Sequence, residues 1–361
     1  MKVLYIGHYR DGTGWGNAAI NNILAMDAAG IDVVPRAITY ESSDKTYPDR
    51  IKELETKSKD DCDVVVQHTL PCNYWYDNNY KNIGFLACET SDFKSTGWQR
   101  NCNIMDEIWV PSETTKSQTE NSGVTTPVKV VPHSLDLTKY KDANRGGKID
   151  ELDNNFTFGF VGEFIERKNI KALVQAFHMT FDPMEPVNLF IKTSKATLNE
   201  VENYCLNVRN GLKLRKNYKK EIVIVGMMEN DDYISVLNQV DCFVMPSKGE
   251  AFCIPGLEAM ALGIPSIYTM FTGMDYLVGQ PVRSHKTPCF GAMETLAELD
   301  TAESTWQEIE VDGLSETMRY MYSHLSNQEN KKGFSEQCKN EALKYNHQTV
   351  GNTIKEILND R

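Results

Sequence analysis

The stretch that most constrains this chain is residues 241–265, DCFVMPSKGEAFCIPGLEAMALGIP. It opens on the apolar run Cys242-Phe243-Val244-Met245, which predicts a buried parallel strand. A loop follows from Pro246 to Ile254. Pro255 suits a first helical turn, where its missing N–H is not needed, and Gly256 to Leu262 reads as a helix stopped by Gly263 and Pro265. The unit is strand, loop, helix, with Glu250 in the loop and Glu258 in the first helical turn. The N–H groups and positive dipole end at such a helix start attract a phosphate, and two flanking carboxylates accept from hydroxyls. A dinucleotide loop would carry glycines here. Taken alone, a Glu pair is equally a solvated loop residue and an ordinary first-turn acid.

With 361 residues, 41% of them hydrophobic, the chain has material for two buried cores. The net charge of −12 argues against a generic binder of nucleic acid or anionic membrane. Nine scattered cysteines with no C-x-x-C predict reduced thiols in a cytoplasmic setting, not a disulfide framework or a zinc site. The first strand begins at once, which predicts no signal peptide, and no apolar run reaches the roughly 18 residues of a membrane span. Neither an Asp-x-Asp at a strand end nor a His/Cys cluster suggests a metal.

Val3 to Ile6 predicts a first strand, and a helix is expected from about Asn17 to Ala29. The loop between them holds Gly12, Gly14 and Gly16, where backbone would approach a ligand, but the spacing is not G-x-G-x-x-G. Asp63 to His68 is a buried strand with His68 at its carboxyl end, the edge at which open α/β sheets bind ligands; a hydrogen-bonded structural histidine is the alternative. Ile83 to Thr90 reads as a strand ending near Glu89. Residues 141–155 are polar, carry a Gly-Gly pair and make the best linker. A second Rossmann-like half opens at Phe156 to Gly162 and runs through Arg167-Lys168 into a helix from Ile170 to Phe177. Residues 209–220 hold six basic side chains, read as a solvated face or, alternatively, as a patch for an acidic ligand or membrane.

The string from Glu250 to Pro265 resembles the E-x7-E signature of retaining GT-B glycosyltransferases, family 4 (glycosyl transferases group 1) in particular, with Ala251 and Cys253 in place of two family glycines. Residues 106–136 and 156–177 resemble further family strings, as does Trp306 with the helix Leu314 to Tyr322, and the first loop resembles the family's G-[YW]-G turn more weakly. The resemblance implies an α/β fold of GT-B type, two Rossmann-like domains facing a cleft. It implies an N-terminal acceptor domain over 1–145, a nucleotide-sugar domain over 155–335, and a C-terminal helix over 336–361, crossing back to the N-terminal domain.

The implied activity is retaining, metal-independent transfer of a sugar from a nucleotide-diphosphate sugar to an acceptor hydroxyl, with no cofactor beyond that donor. In that reading Glu250 holds sugar hydroxyls by the reacting carbon and is not a covalent nucleophile. Glu258 accepts from the ribose. Lys168, with Arg167 or Lys192, and the N–H groups of Phe252, Cys253 and Ile254 meet the diphosphate. Gly14, Gly16, His68 and Glu89 form the opposing wall, the glycines as donor-binding residues and His68 and Glu89 as catalytic candidates, with Glu89 holding a sugar or acceptor hydroxyl or else capping the next helix. Two departures stand out: Glu89 occupies a place where relatives carry histidine, and Glu163 one where they carry arginine. The acceptor is open among glycan, lipid, small molecule and modified DNA base. A phage-type DNA-base glycosyltransferase, a nucleotide-sugar epimerase of the same fold and a catalytically silent sugar-binding protein are the alternatives.

Overall fold

A computed structural model describes residues 1–38, 46–141, 149–214, 217–290, 299 and 301–360. Residues 142–148, the middle of the expected linker with its Gly-Gly pair, lie outside these, as do Arg215 and Lys216 of the basic stretch. The chain divides into two compact units. Unit 1 comprises Met1–Asp136, Pro288–Thr305 and Leu343–Arg361; unit 2 comprises Leu137–Thr287 and Trp306–Ala342.

Unit 1 contains, in order, β1 (Lys2–Gly7), α1 (Gly14–Ala28), β2 (Asp32–Ala37), α2 (Asp49–Glu55), β3 (Val64–His68), β4 (Lys81–Phe85), α3 (Trp98–Asn103), β5 (Glu107–Val110), α4 (Glu113–Asn121) and β6 (Val128–Val130). Its sheet is parallel, in the order β2-β1-β3-β4-β5-β6. The β-branched run Val64-Val65-Val66 is buried on both faces, as a strand covered by helices on each side must be. Because β1 lies between β2 and β3, the chain's winding reverses between β1 and β3. The carboxyl ends of those two strands therefore flank the topological switch point, where such sheets leave a crevice.

Unit 2 contains β7 (Phe156–Glu163), α5 (Ile170–Thr180), β8 (Val187–Ser194), α6 (Leu198–Leu212), β9 (Ile222–Val225), α7 (Asn230–Leu237), β10 (Cys242–Met245), α8 (Ile254–Leu262), β11 (Ser266–Thr269), β12 (Gly279–Val282), β13 (Ser284–Pro288), β14 (Thr305–Ile309), α9 (Val311–Leu325) and α10 (Gln328–Ala342). Its main sheet is also parallel, in the order β12-β11-β10-β7-β8-β9, and its switch point falls between β7 and β10. A two-stranded sheet of β13 and β14 is additional to it.

The structure corrects three sequence expectations. The helix after β1 begins at Gly14, not Asn17, because Thr13 caps it: its Oγ1 accepts from Gly16 N–H at 3.2 Å. The fourth strand stops at Phe85, which leaves Glu89 four residues beyond it in a loop. Glu89 does not cap the next helix either, since α3 follows Gly97. The C-terminal helix is two helices. The segment expected to cross back from residue 336 stays with α10 in unit 2 as far as Ala342, and Asn346 then opens a new helix, α11 (His347–Asn359), by accepting from Thr349 N–H at 2.8 Å. Val350, Ile354 and Leu358 of α11, spaced four apart, enter the core of unit 1 against Ile23 and Met26 of α1. Burying three such side chains is worth on the order of 5 kcal/mol.

Candidate functional site

In unit 2 the segment from Cys242 to Cys253 is buried throughout, its loop included. A buried loop must satisfy its polar backbone from its neighbours. This one is braced from three directions. Lys248 N–H donates to Arg167 O at 2.8 Å, Gly273 N–H donates to Glu250 O at 2.8 Å, and Gln307 N–H, on β14, donates to Lys248 O at 2.7 Å. Gly273 must be glycine there, because a Cβ would stand 2.2 Å from Ala251 O. Ser247 Oγ donates to Arg167 O, 3.1 Å, or Gly249 O, 3.0 Å.

The loop carries Glu250 to the switch point, at 6% exposure. Lys168, in the single 3-10 turn Glu166–Lys168 after β7, places Nζ 2.5 Å from Glu250 Oε1. Arg167 Nη1 reaches the same oxygen at 3.2 Å and donates to Gly249 O at 2.6 Å. Burial pushes the Glu250 carboxyl upward, but Lys168 and Arg167 outweigh it and hold the group below the usual glutamate range. Lys168 is itself 8% exposed, and Glu250 is its one hydrogen-bond partner among the described residues. An ammonium has three donors. Two hydrogens of a buried cation therefore have no partner among the described residues.

Lys248 was not foreseen as a site residue. Its ammonium lies 2.6 Å from Glu166 Oε1, 2.8 Å from Glu308 Oε2 and 5.1 Å from the centre of the Trp306 ring. Burial opposes its charge, and the two glutamates outweigh burial and hold its pKa above the usual lysine value. Glu308 also accepts from Asn169 Nδ2 at 2.9 Å, and Asn169 caps α5. The network ties the Arg167–Lys168 turn to the Glu250 loop and β14. Nothing local in Ser247-Lys248-Gly249-Glu250 marks this lysine as buried.

Glu258, partly buried on α8, accepts from Tyr233 Oη at 2.6 Å and Tyr140 Oη at 3.1 Å, one on each carboxylate oxygen. Phe252 stacks on Tyr276 with ring centres 4.4 Å apart. Cys253 is the N-cap of α8 and Ile254 its first residue. Cys253 has φ +70° and ψ +72°, the left-handed region that favours glycine. Its side chain makes no cap bond, and burial raises the thiol to about 12. Lys192 is within β8, not at its end, and donates to Gly226 O at 2.7 Å. Glu163 ends β7 and pairs with Lys195 Nζ at 2.8 Å, so a cation does stand beside that position. In the basic stretch, Arg209 turns toward buried Glu221 (3.6 Å), Lys219 donates to Val187 O and Lys220 pairs with Glu202; the described part is not a cationic patch.

In unit 1, His68 ends β3 at 2% exposure, with Nδ1 2.7 Å from Tyr5 Oη. Its ring stacks on Phe85 at 4.5 Å and meets Trp15 at 5.3 Å. His8, just past β1, lies 3.0 Å from Thr69 Oγ1 and 3.2 Å from Asp11 Oδ2; it escaped the sequence reading. Burial, with His133 and His8 nearby, drives His68 well below the usual histidine range, and burial takes His133 down to about 4. Gly16 sits in the first turn of α1, where a Cβ would come within 3.1 Å of His8 O; Gly14 is exposed with open space around it. Glu89 is partly buried in its loop.

The glycosyl transferases group 1 family profile matches residues 146–283. The capsular polysaccharide biosynthesis glycosyltransferase CapM of Staphylococcus aureus is 31% identical over 122 residues, 34% of this chain and 30% of CapM. The UDP-Gal:alpha-D-GlcNAc-diphosphoundecaprenol alpha-1,3-galactosyltransferase of Escherichia coli is 26% identical over 157 residues, 42% of this chain and 38% of the enzyme. The matches thus span less than half the length of these curated relatives. Among solved structures, Anabaena HepE in complex with UDP-glucose superposes with a TM-score of 0.64 at 12% identity, over 100% of both chains. No helix among the described residues is long and apolar enough to cross a membrane. Residues 146–283 are therefore similar to the glycosyl transferases group 1 family, and the chain as a whole has the two-unit α/β fold of the GT-B glycosyltransferases.

Proposed function

We propose that the protein is a retaining glycosyltransferase that uses a nucleoside diphosphate sugar as donor. The observation that carries this reading is Lys168, a buried ammonium at the switch point of unit 2 with one bond to Glu250 and two donors unused among the described residues. A diphosphate oxygen fits those donors. As the C1–O bond breaks, negative charge grows on the leaving diphosphate, and a preorganised cation in a buried site stabilises that charge more than it stabilises the ground state. Lys168 and Arg167 supply this charge without a metal, and the start of α8 at Phe252, Cys253 and Ile254 adds its dipole. Lys195, just past the end of β8, and Lys192, within that strand, are secondary cations.

Glu250, kept ionised by its two cations, orients sugar hydroxyls beside the reacting carbon. Glu258 already receives two tyrosine hydroxyls and would receive ribose hydroxyls in the same manner. In unit 1, His68, Gly16 and Glu89 are assigned to the acceptor side. The HepE complex with UDP-glucose supports a nucleotide-sugar donor. An intracellular setting goes with such a donor. Thermal-shift titration with a panel of nucleotide sugars tests the reading. The true donor raises Tm in proportion to RT ln(1 + [L]/Kd), with slow release of free sugar when no acceptor is added. A panel in which no nucleotide sugar shifts Tm overturns it.

A further inference from the structure

His68 holds a second piece of chemistry, fixed by residues behind it. Tyr5 lies in β1 with its phenol fully buried, and Asn22 Nδ2, from α1, donates to the phenol oxygen at 3.4 Å. Burial keeps Tyr5 protonated. A phenol has one hydrogen to give. Its oxygen already accepts from Asn22, so the hydrogen goes to His68 Nδ1, 2.7 Å away. That length matches an O–H donor; an N–H donor sits more commonly at about 2.9–3.0 Å.

The ring stays neutral because burial, His133 and His8 all oppose a charge on it. A neutral imidazole has one N–H, and if Nδ1 accepts, the hydrogen is on Nε2. Tyr5 is the one hydrogen-bond partner of His68 among the described residues, so Nε2 is uncommitted among them. Phe85 and Trp15 fix the plane of the ring.

We infer that Tyr5 and Asn22 lock His68 in the Nε2–H form, so that it serves unit 1 as a neutral hydrogen-bond donor to a ligand hydroxyl oxygen and not as a general base. The tautomer stands independently of the transferase reading, whereas its use on a sugar hydroxyl rests on it.

The test is imidazole 15N–1H correlation spectroscopy on the full-length protein, with the His68 signals assigned from a His68→Gln spectrum. The expected pattern is a protonated Nε2 and an unprotonated Nδ1, unchanged between pH 6 and 8. A protonated Nδ1 or a charged ring overturns the inference, and the native protein alone decides it. Tyr5→Phe, which keeps the buried ring, should release the lock and give a mixture of tautomers; an unchanged spectrum counts against Tyr5.

For the ligand role, His68→Gln keeps an N–H near the Nε2 position. It should retain donor turnover within about tenfold of native while His68→Phe loses distinctly more. Equal losses overturn the donor role. If native protein turns over no nucleotide sugar, the transferase reading fails while the spectroscopic answer stands.

Discussion

At the switch point of unit 2, two cations meet one carboxylate inside a buried loop, and a second buried lysine braces that loop between two more acids. At the switch point of unit 1, the corresponding strand ends present His8 and His68, with His133 nearby, packed among Tyr5, Trp15 and Phe85. The topologies are close relatives; the furnishings are opposite. Charges in unit 2 are retained under burial because each has a partner, as the depressed Glu250 and elevated Lys248 pKa values show. The imidazoles of unit 1 are driven to the neutral form. One edge is charged, and the other is neutral and aromatic. The division follows from local chemistry, not from the fold.

The largest effect that would break this contrast is at Lys168. Lys168→Met should lower donor turnover by on the order of 10²–10³, measured in steady state, because it removes charge facing the leaving group. A loss of only a few-fold would place the working cation elsewhere, with Lys195→Ala the next variant to measure.

Acid stability tests the contrast next. The imidazoles have lowered folded pKa values, so the unfolded chain binds protons that the folded chain refuses. Stability of unit 1 therefore falls as pH drops from 6.5 toward the folded values, about 4 for His133, which alone amounts to on the order of 3 kcal/mol. Glu250 is also lowered, from 4.5, so its contribution is intact above 4.5 and is lost only below that, as pH falls through its folded value. Hydrogen exchange at pH 7 and 5, corrected for intrinsic rates, should show protection lost in β3 before β10. The reverse order would contradict the assignment of neutral imidazoles to unit 1.

A smaller effect sits at Cys253. At φ +70° a β-branched side chain is strained, so Cys253→Val should destabilise by about 2 kcal/mol, while Cys253→Gly trades lost burial against relieved backbone and should stay within about 1 kcal/mol of native. Urea denaturation distinguishes the two; equal losses would mean that packing, not backbone, governs this helix start. The smallest effect is at Glu258, where Glu258→Gln should raise donor KM about tenfold with kcat little changed, since a ribose contact is made equally in ground and transition states.

Much of unit 2 was legible in the sequence. The β10 run, the Pro255 turn and the Gly263 stop each rest on local physics, and the structure has them at Cys242–Met245 and Ile254–Leu262. Strands such as β1, β3 and β10 announced themselves as continuous apolar runs, whereas β12, Gly279-Gln280-Pro281-Val282, did not. Long-range pairings were not legible from local physics. Lys168 and Glu250 stand 82 residues apart, and only the folded sheet order brings them together. Lys248 was passed over because a lysine in a loop is ordinarily solvated, and nothing local says that this loop is buried. Two glycines hid the true start of α1, since glycine disfavours helix interiors and the Thr13 cap was outweighed. The excursion of Pro288–Thr305 into unit 1 left no compositional mark.

The central claim is that Lys168 and its neighbours hold a nucleoside diphosphate. Calorimetric titration of native protein and Lys168→Met with UDP, GDP and ADP, beside the matching monophosphates, tests it most directly. The account predicts that one diphosphate binds native protein, more tightly than its monophosphate, and that Lys168→Met weakens the diphosphate by about tenfold or more while leaving the monophosphate nearly unchanged. Binding of diphosphate that is equal in the two proteins, or no nucleotide binding by native protein, would contradict it.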